Sequence, residues 1–151
     1  MSLNETPDTV QWPETHYVFL EKIGPIPQNA PQAWQEFHKF MPDLQARYKV
    51  TGALSLYKMS PEIYRAGYML AAPPADLPAG LRYEKFAGGK YARFTLKGPY
   101  AQLGPATGRV VQLVAEKHIP LRDDFNIENY VTDPGKTPEE ELVTEIMFPI
   151  E

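Results

Sequence analysis

Tyr17, Gly24-Pro25, Gln28 and Pro31 recur in the same order as Tyr91, Gly98-Pro99, Gln102 and Pro105, each 74 residues further on. Tyr57 with Pro61 recurs as Tyr130 with Pro134, 73 residues on. A fixed internal period constrains the fold before any local pattern does, because each copy has to be one supersecondary unit. Two copies are too few for a solenoid, which needs at least three. The period points instead to a duplicated α+β module with a cleft between its halves.

Within each copy the hydrophobic pattern changes period. Residues 16–23 alternate, with Tyr17, Phe19 and Glu21 on one face and Val18, Leu20 and Lys22 on the other, which is a strand ended by Gly24-Pro25. Pro31 suits a first helical position. Trp34, Phe37, Met41 and Leu44 then follow at helical spacing, so Trp34 is assigned to the core, and Pro42 must kink or restart that helix. Strands are expected over 53–59 and 63–71, joined by a turn at Ser60-Pro61. A Pro-rich linker, 72–80, separates the copies. In the second copy, 91–97 reads as a strand. A helix follows over 102–117, with Leu103, Ala106, Val110, Leu113 and Val114 as its apolar stripe. Strands are then expected over 126–131 and 141–148, with Asp133-Pro134-Gly135 as the turn. An additional strand is expected to precede each copy, at about 81–86 in the second.

The expected fold is therefore α+β. Duplicated β-α-β-β units form one curved antiparallel sheet with two helices on one face, the other face free. Residues 1–14 read as a flexible lead-in. Residues 15–151 form a single domain of two repeats, 15–72 and 81–150.

The bulk properties remove whole classes of function. Fifteen basic against nineteen acidic residues give a net charge of −4, whereas nucleic-acid binding requires a basic footprint. There is no cysteine, which excludes disulfides, thiolate nucleophiles and zinc–sulfur sites and fits a cytoplasmic protein. No stretch is long and apolar enough for a membrane-spanning helix, and the polar, acidic start is not a secretory signal. The three histidines, His16, His38 and His118, have no spacing suited to a shared metal site. No nucleophile elbow, phosphate loop or dinucleotide pattern is present. Neither metal nor cofactor is expected.

Glu128 is the sharpest candidate. Alternation places Asn126, Glu128 and Tyr130 on one strand face. A carboxylate on a central strand beside a tyrosine is costly to desolvate unless it is paired or functional; the plain alternative is a carboxylate on a solvated sheet face. Its repeat partner is Ser55, so the two copies differ where a ligand would sit. Tyr17, Tyr57, Tyr68, Tyr91 and Tyr130 all fall in expected strands. Tyrosine offers an apolar face with a polar tip, which suits a ligand groove, and it is also a good strand former.

Several segments of the second copy carry a resemblance. They are Gly88-Gly89-Lys90-Tyr91-Ala92, Lys97-Gly98-Pro99-Tyr100, Ile127-Glu128-Asn129-Tyr130 with Asp133-Pro134, and Thr144-Glu145-Ile146 with Pro149-Ile150. In order and spacing these resemble the GyrI-like family, also found as the effector-binding domain of multidrug-sensing transcription regulators. The resemblance covers nearly all of 81–151 and, through the repeat, 15–72. It implies two β-α-β-β units with a groove between them that binds hydrophobic, often cationic small molecules. Glu128 and Tyr130 match the family's Glu-x-Tyr pattern. The chain departs from the family in lacking tryptophan over 110–114, and no DNA-binding segment precedes the module, so a role in transcription regulation would need a partner chain.

The resulting expectation is a stand-alone multidrug-type receptor. Its candidate ligand residues are Glu128, Tyr130, Tyr57, Tyr17, Tyr91, Tyr68 and Phe19. It contacts neither nucleic acid nor membrane, has a protein partner as an open option, and leaves the oligomeric state undetermined. The resemblance also implies an enzyme alternative, a hydrolase of reactive electrophilic rings using Glu128 and Tyr130 as catalytic groups. Two further readings are a protein-binding inhibitor of the gyrase-inhibitor type and a haem binder. The order of preference is receptor before hydrolase.

Overall fold

Period-two stretches become strands and period-3.6 stretches become helices along the whole chain. The computed structural model describes residues 1–151. In chain order its elements are β1 (Ser2–Leu3), β2 (Asp8–Trp12), β3 (Thr15–Ile23), α1 (Ile26–His38), α2 (Met41–Arg47), β4 (Val50–Met59), β5 (Glu62–Leu70), β6 (Arg82–Phe86), β7 (Gly89–Lys97), α3 (Leu103–Glu116), β8 (Asn126–Tyr130) and β9 (Val143–Pro149). The fold is α+β, and every strand pairing described below is antiparallel. No helix is long and apolar enough to cross a membrane.

Two units emerge, one of residues 13–88 and one of residues 1–12 with 89–151. In the first the strand order is β4-β5-β3-β6. Its helix-side core joins Val18, Leu20, Tyr57, Tyr64, Ala66 and Tyr68 from the strands to Ala33, Phe37 and Leu44 from the helices. In the second, β7, β9 and β8 follow one another, with β1 and β2 on the far side of β7. There Ala92, Phe94, Leu96, Ile146 and Phe148 pack under Ala106, Val110, Leu113 and Val114 of α3.

The repeat is visible in local geometry. Gly24 and Gly98 close the first strand of each copy with φ of 122° and 146°, a left-handed region in which a side chain is strained. Their amides bond Glu62 O at 3.1 Å and Leu142 O at 2.8 Å, so each turn is tied to the start of the last strand of its copy. Tyr17 Oη donates to Leu54 O and Tyr91 Oη donates to Phe125 O, both at 2.8 Å.

Three expectations need correction. The chain start is not a free lead-in: β2 pairs with β7 from Asp8↔Arg93 to Trp12↔Gly89, because an unpaired edge of β7 would leave backbone groups without partners. The additional strand at 81–86 exists but pairs with β3, in the unit of the other copy, from Arg82↔Phe19 to Phe86↔Thr15. The two extra strands are 74 residues apart, and moving either register by 74 gives the other. Each β-α-β-β copy is thus completed by the strand that precedes the other copy. Third, α1 starts five residues before Pro31, which is interior. Pro27 takes the early position instead, and Glu62 Oε2 accepts a bond from the Ile26 amide at 3.0 Å, one of the amides a helix start leaves free. As expected from Pro42, the helix restarts: α2 carries that proline in its first turn.

Gly67 shows how tightly β5 meets β3. A Cβ there would lie 2.2 Å from Val18 O and 2.9 Å from Phe19 Cα. Backbone cannot yield as a flexible side chain does, so Gly67→Ala should cost about 1–3 kcal/mol. Thermal unfolding should record a fall of several degrees, at ~2–4 °C per kcal/mol for this size; an unchanged melting temperature would count against this packing.

Candidate functional site

Cross-strand partners in an antiparallel pair project to the same face. Glu128 faces Ile146 and Tyr130 faces Thr144. Ile146 and Thr144 in turn face Phe94 and Leu96 on β7, and Phe94, Leu96 and Ile146 pack under α3. Glu128 and Tyr130 therefore lie on the helix-covered face of the sheet.

Tyr130 Oη donates to Glu128 Oε1 at 2.7 Å. The Tyr100 ring meets the Tyr130 ring edge-on at 5.6 Å. No arginine or lysine pairs with Glu128. The carboxylate is half-buried, and desolvation pushes its proton affinity above the ordinary carboxylate value, with the Tyr130 hydrogen bond pulling the other way. Desolvation, then the nearby Asp133, also raises Tyr100. A carboxylate, two tyrosines and apolar surroundings make a small site that favours positive charge.

The matching ladder positions in the first copy are Ser55, Tyr57 and Tyr64, with Tyr57↔Tyr64 and Ser55↔Ala66 as cross-strand partners. Here Ser55 and Tyr64 bond each other and share one indole donor. Ser55 Oγ and Tyr64 Oη are 2.6 Å apart, and Trp34 Nε1 donates to Tyr64 Oη at 2.8 Å and to Ser55 Oγ at 3.2 Å. Trp34 is thus half-buried at the rim of the core and hydrogen-bonded.

The structure distributes the candidate ligand residues over different faces. Glu128 and Tyr130 are in contact. Tyr57 and Tyr68 share the helix-covered face of their own unit; Tyr57 stacks on Tyr64 at 6.2 Å, and Tyr68 Oη accepts from Gln45 Nε2 at 2.7 Å. Tyr17 and Phe19 stack on each other at 5.2 Å on the opposite face of that sheet, with the Arg65 guanidinium 4.3 Å over Phe19. Tyr91 is fully buried and lies on the face of its sheet opposite to Glu128. Burial raises both Tyr17 and Tyr91 well above the ordinary phenol value, so they stay neutral.

Sequence reasoning missed Tyr100, Thr144 and the Trp34–Ser55–Tyr64 group. Tyr100 was legible as the residue closing Lys97-Gly98-Pro99-Tyr100. Thr144 was legible from the alternation of β9, two residues before Ile146.

The GyrI-like small molecule binding domain matches residues 5–151. The chain belongs to the GyrI-like family. Several solved structures share its fold at low identity. SAV2435, bound to tetraphenylphosphonium, superposes with a TM-score of 0.77 at 18% identity, over 96% of this chain and 93% of that one. The EcmrR C-terminal domain gives 0.75 at 19% identity, over 100% and 99%. A hydrolase from Listeria innocua gives 0.58 at 11%, over 99% and 94%. Against EcmrR in a complex with DNA the TM-score is 0.76 at 18% identity, over 99% of this chain, which spans 57% of the EcmrR chain. No curated protein matches significantly.

An ionised, desolvated Glu128 has a stability consequence. Its folded value lies above its unfolded one, so the folded state prefers the protonated form. That preference is fully expressed below the unfolded value and is lost as pH rises through the folded value. At neutral pH the charge therefore costs stability. Glu128→Gln removes the charge and keeps an acceptor for Tyr130. It should raise stability at pH 7–8 by about 0.5–2 kcal/mol, the usual gain on relaxing a functional site. The gain should shrink toward acid pH in thermal unfolding; a mutant less stable at pH 8 would contradict it.

Proposed function

We propose that this GyrI-like domain is a stand-alone receptor for hydrophobic cations, with Glu128 selecting charge and Tyr130 and Tyr100 supplying contact area. One observation carries the reading: Glu128 is desolvated on the helix-covered face, with a tyrosine hydroxyl and no basic side chain as its partner. A charge kept out of water without a counter-ion is costly, and a bound cation would supply the counter-ion. The tetraphenylphosphonium held by SAV2435 is a ligand of that chemistry.

Thermal unfolding with increasing tetraphenylphosphonium tests this. At 100 times the dissociation constant the ligand adds ~2.7 kcal/mol, a rise of roughly 5–10 °C for this size. Absence of any shift with this and other aromatic onium ions would remove the receptor reading.

A hydrolase is the second reading, favoured by the raised proton affinity of Glu128 beside Tyr130. A carboxyl with raised proton affinity is a better proton donor than an exposed glutamate, and the Listeria innocua neighbour is a hydrolase. Following loss of strained-ring electrophiles with wild type and Glu128→Gln separates the two. Turnover by the wild type that the mutant lacks, ~10²–10⁴-fold, would replace the receptor with the enzyme.

A further inference from the structure

The two copies treat the same ladder positions differently. In the first, Ser55, Tyr57 and Tyr64 lie beneath Trp34, whose indole N–H bonds both Ser55 and Tyr64. In the second the equivalents are Glu128, Tyr130 and Thr144. The helix of the second copy, α3, carries no tryptophan, so nothing on it matches Trp34. The second copy has no indole donor for this face. Tyr130 bonds Glu128, and Thr144 Oγ1, on a residue with 0% exposure, has no hydrogen-bond partner.

A buried hydroxyl without a partner is uncommon and costs stability. Thr144 is the direct cross-strand neighbour of Tyr130 and lies diagonally across the ladder from Glu128, a Cα separation of about 7–8 Å. Two acceptors thus share one face, a carboxylate without a cation and a hydroxyl without a donor. One group answers both: a positive nitrogen that carries N–H bonds.

We propose that the ligand of this site is a protonated amine, whose ammonium N–H groups bond Glu128 and Thr144 together, and that Thr144 sets a preference for N–H-bearing cations over quaternary onium ions. This rests on the receptor reading and deepens it. The threonine hydroxyl accepts from the ammonium, while a quaternary nitrogen has only methyl groups to offer it.

The probes are 4-biphenylmethylammonium and its N,N,N-trimethyl counterpart, titrated by calorimetry at pH 7.5 into wild type, Thr144→Val and Thr144→Ser. Wild type should bind the primary ammonium more tightly. Thr144→Val, which keeps the shape and removes the hydroxyl, should weaken the primary ammonium about 10–150-fold, as expected for one lost hydrogen bond to a charged group, and leave the trimethyl compound within about twofold. Thr144→Ser should restore the preference. Thermal unfolding of Thr144→Val should be unchanged or higher, since an unsatisfied hydroxyl has gone, and this confirms that the variant folds. Equal effects on both compounds, or no effect on either, would overturn the role of Thr144 and leave the receptor standing. If neither compound binds wild type while tetraphenylphosphonium does, the protonated-amine proposal alone falls; if none of the three binds, the receptor reading falls with it.

Discussion

Glu128→Gln should weaken tetraphenylphosphonium binding by about 1–3 kcal/mol, the range for a hydrogen-bonded charge, which is roughly 5–150-fold in affinity. A neutral compound of the same shape, such as tetraphenylsilane, should change little, because only the charge is lost and the acceptor for Tyr130 remains. The effect has a pH signature. Desolvation raises the Glu128 carboxyl above its ordinary value, so acidification neutralises it earlier than an exposed glutamate. Wild-type affinity for the cation should fall as pH is lowered through that raised value, while the glutamine variant stays flat. Proton release on binding at slightly acid pH is the linked effect, because the cation stabilises the ionised form. Calorimetry in buffers of different ionisation enthalpy reads both. A wild type and mutant with the same pH profile would show that Glu128 does not face the ligand.

Phe37→Ala should be the more damaging change to the fold, at about 3–5 kcal/mol. Phe37 is fully buried under α1. Its ring meets Trp34 edge-on at 5.9 Å and Tyr68 edge-on at 5.1 Å, so truncation removes transfer energy and two aromatic contacts and leaves a cavity among rigid strand side chains. At ~2–4 °C per kcal/mol for this size, the melting temperature should fall by roughly 6–20 °C. Phe37→Leu should cost a fraction of that, because much of the volume is kept. Chemical denaturation with an unchanged slope would show that the native state alone is affected. A loss below about 1 kcal/mol would mean that α1 is not packed through Phe37.

The strand and helix periods of this chain were legible because each residue's neighbours along the sequence carry them. Tyr57 and Tyr130, Gly24 and Gly98 announced the repeat by spacing alone. What spacing cannot supply is which strand becomes the neighbour of which. The alternation in β2 and β6 is compatible with pairing to either copy, and the choice is made by which edge of β3 and β7 is left open after β5 and β9 have paired. The same limit applies to faces. Alternation puts Tyr17 with Phe19, and Glu128 with Tyr130, but it does not say which of these faces meets a helix. Tyr91, as tyrosine-rich a candidate as Tyr130 in sequence, turned to the opposite face of its sheet, where its hydroxyl closes on Phe125 O. Thr144 carried too little chemical character to stand out until its cross-strand partner was known.

The exchange of β2 and β6 has a consequence for how the chain can be divided. A single cut within 73–80 would yield two fragments of nearly equal length, each resembling one repeat in sequence. Neither would be a finished fold. The N-terminal piece would carry β2, which pairs with β7 of the other piece, and would lack β6; the C-terminal piece would be its mirror case. Each would expose one open strand edge and offer one unclaimed strand of matching register. Mixed together, they would reconstitute by mutual donation, and apart, each would have reason to pair with a second copy of itself.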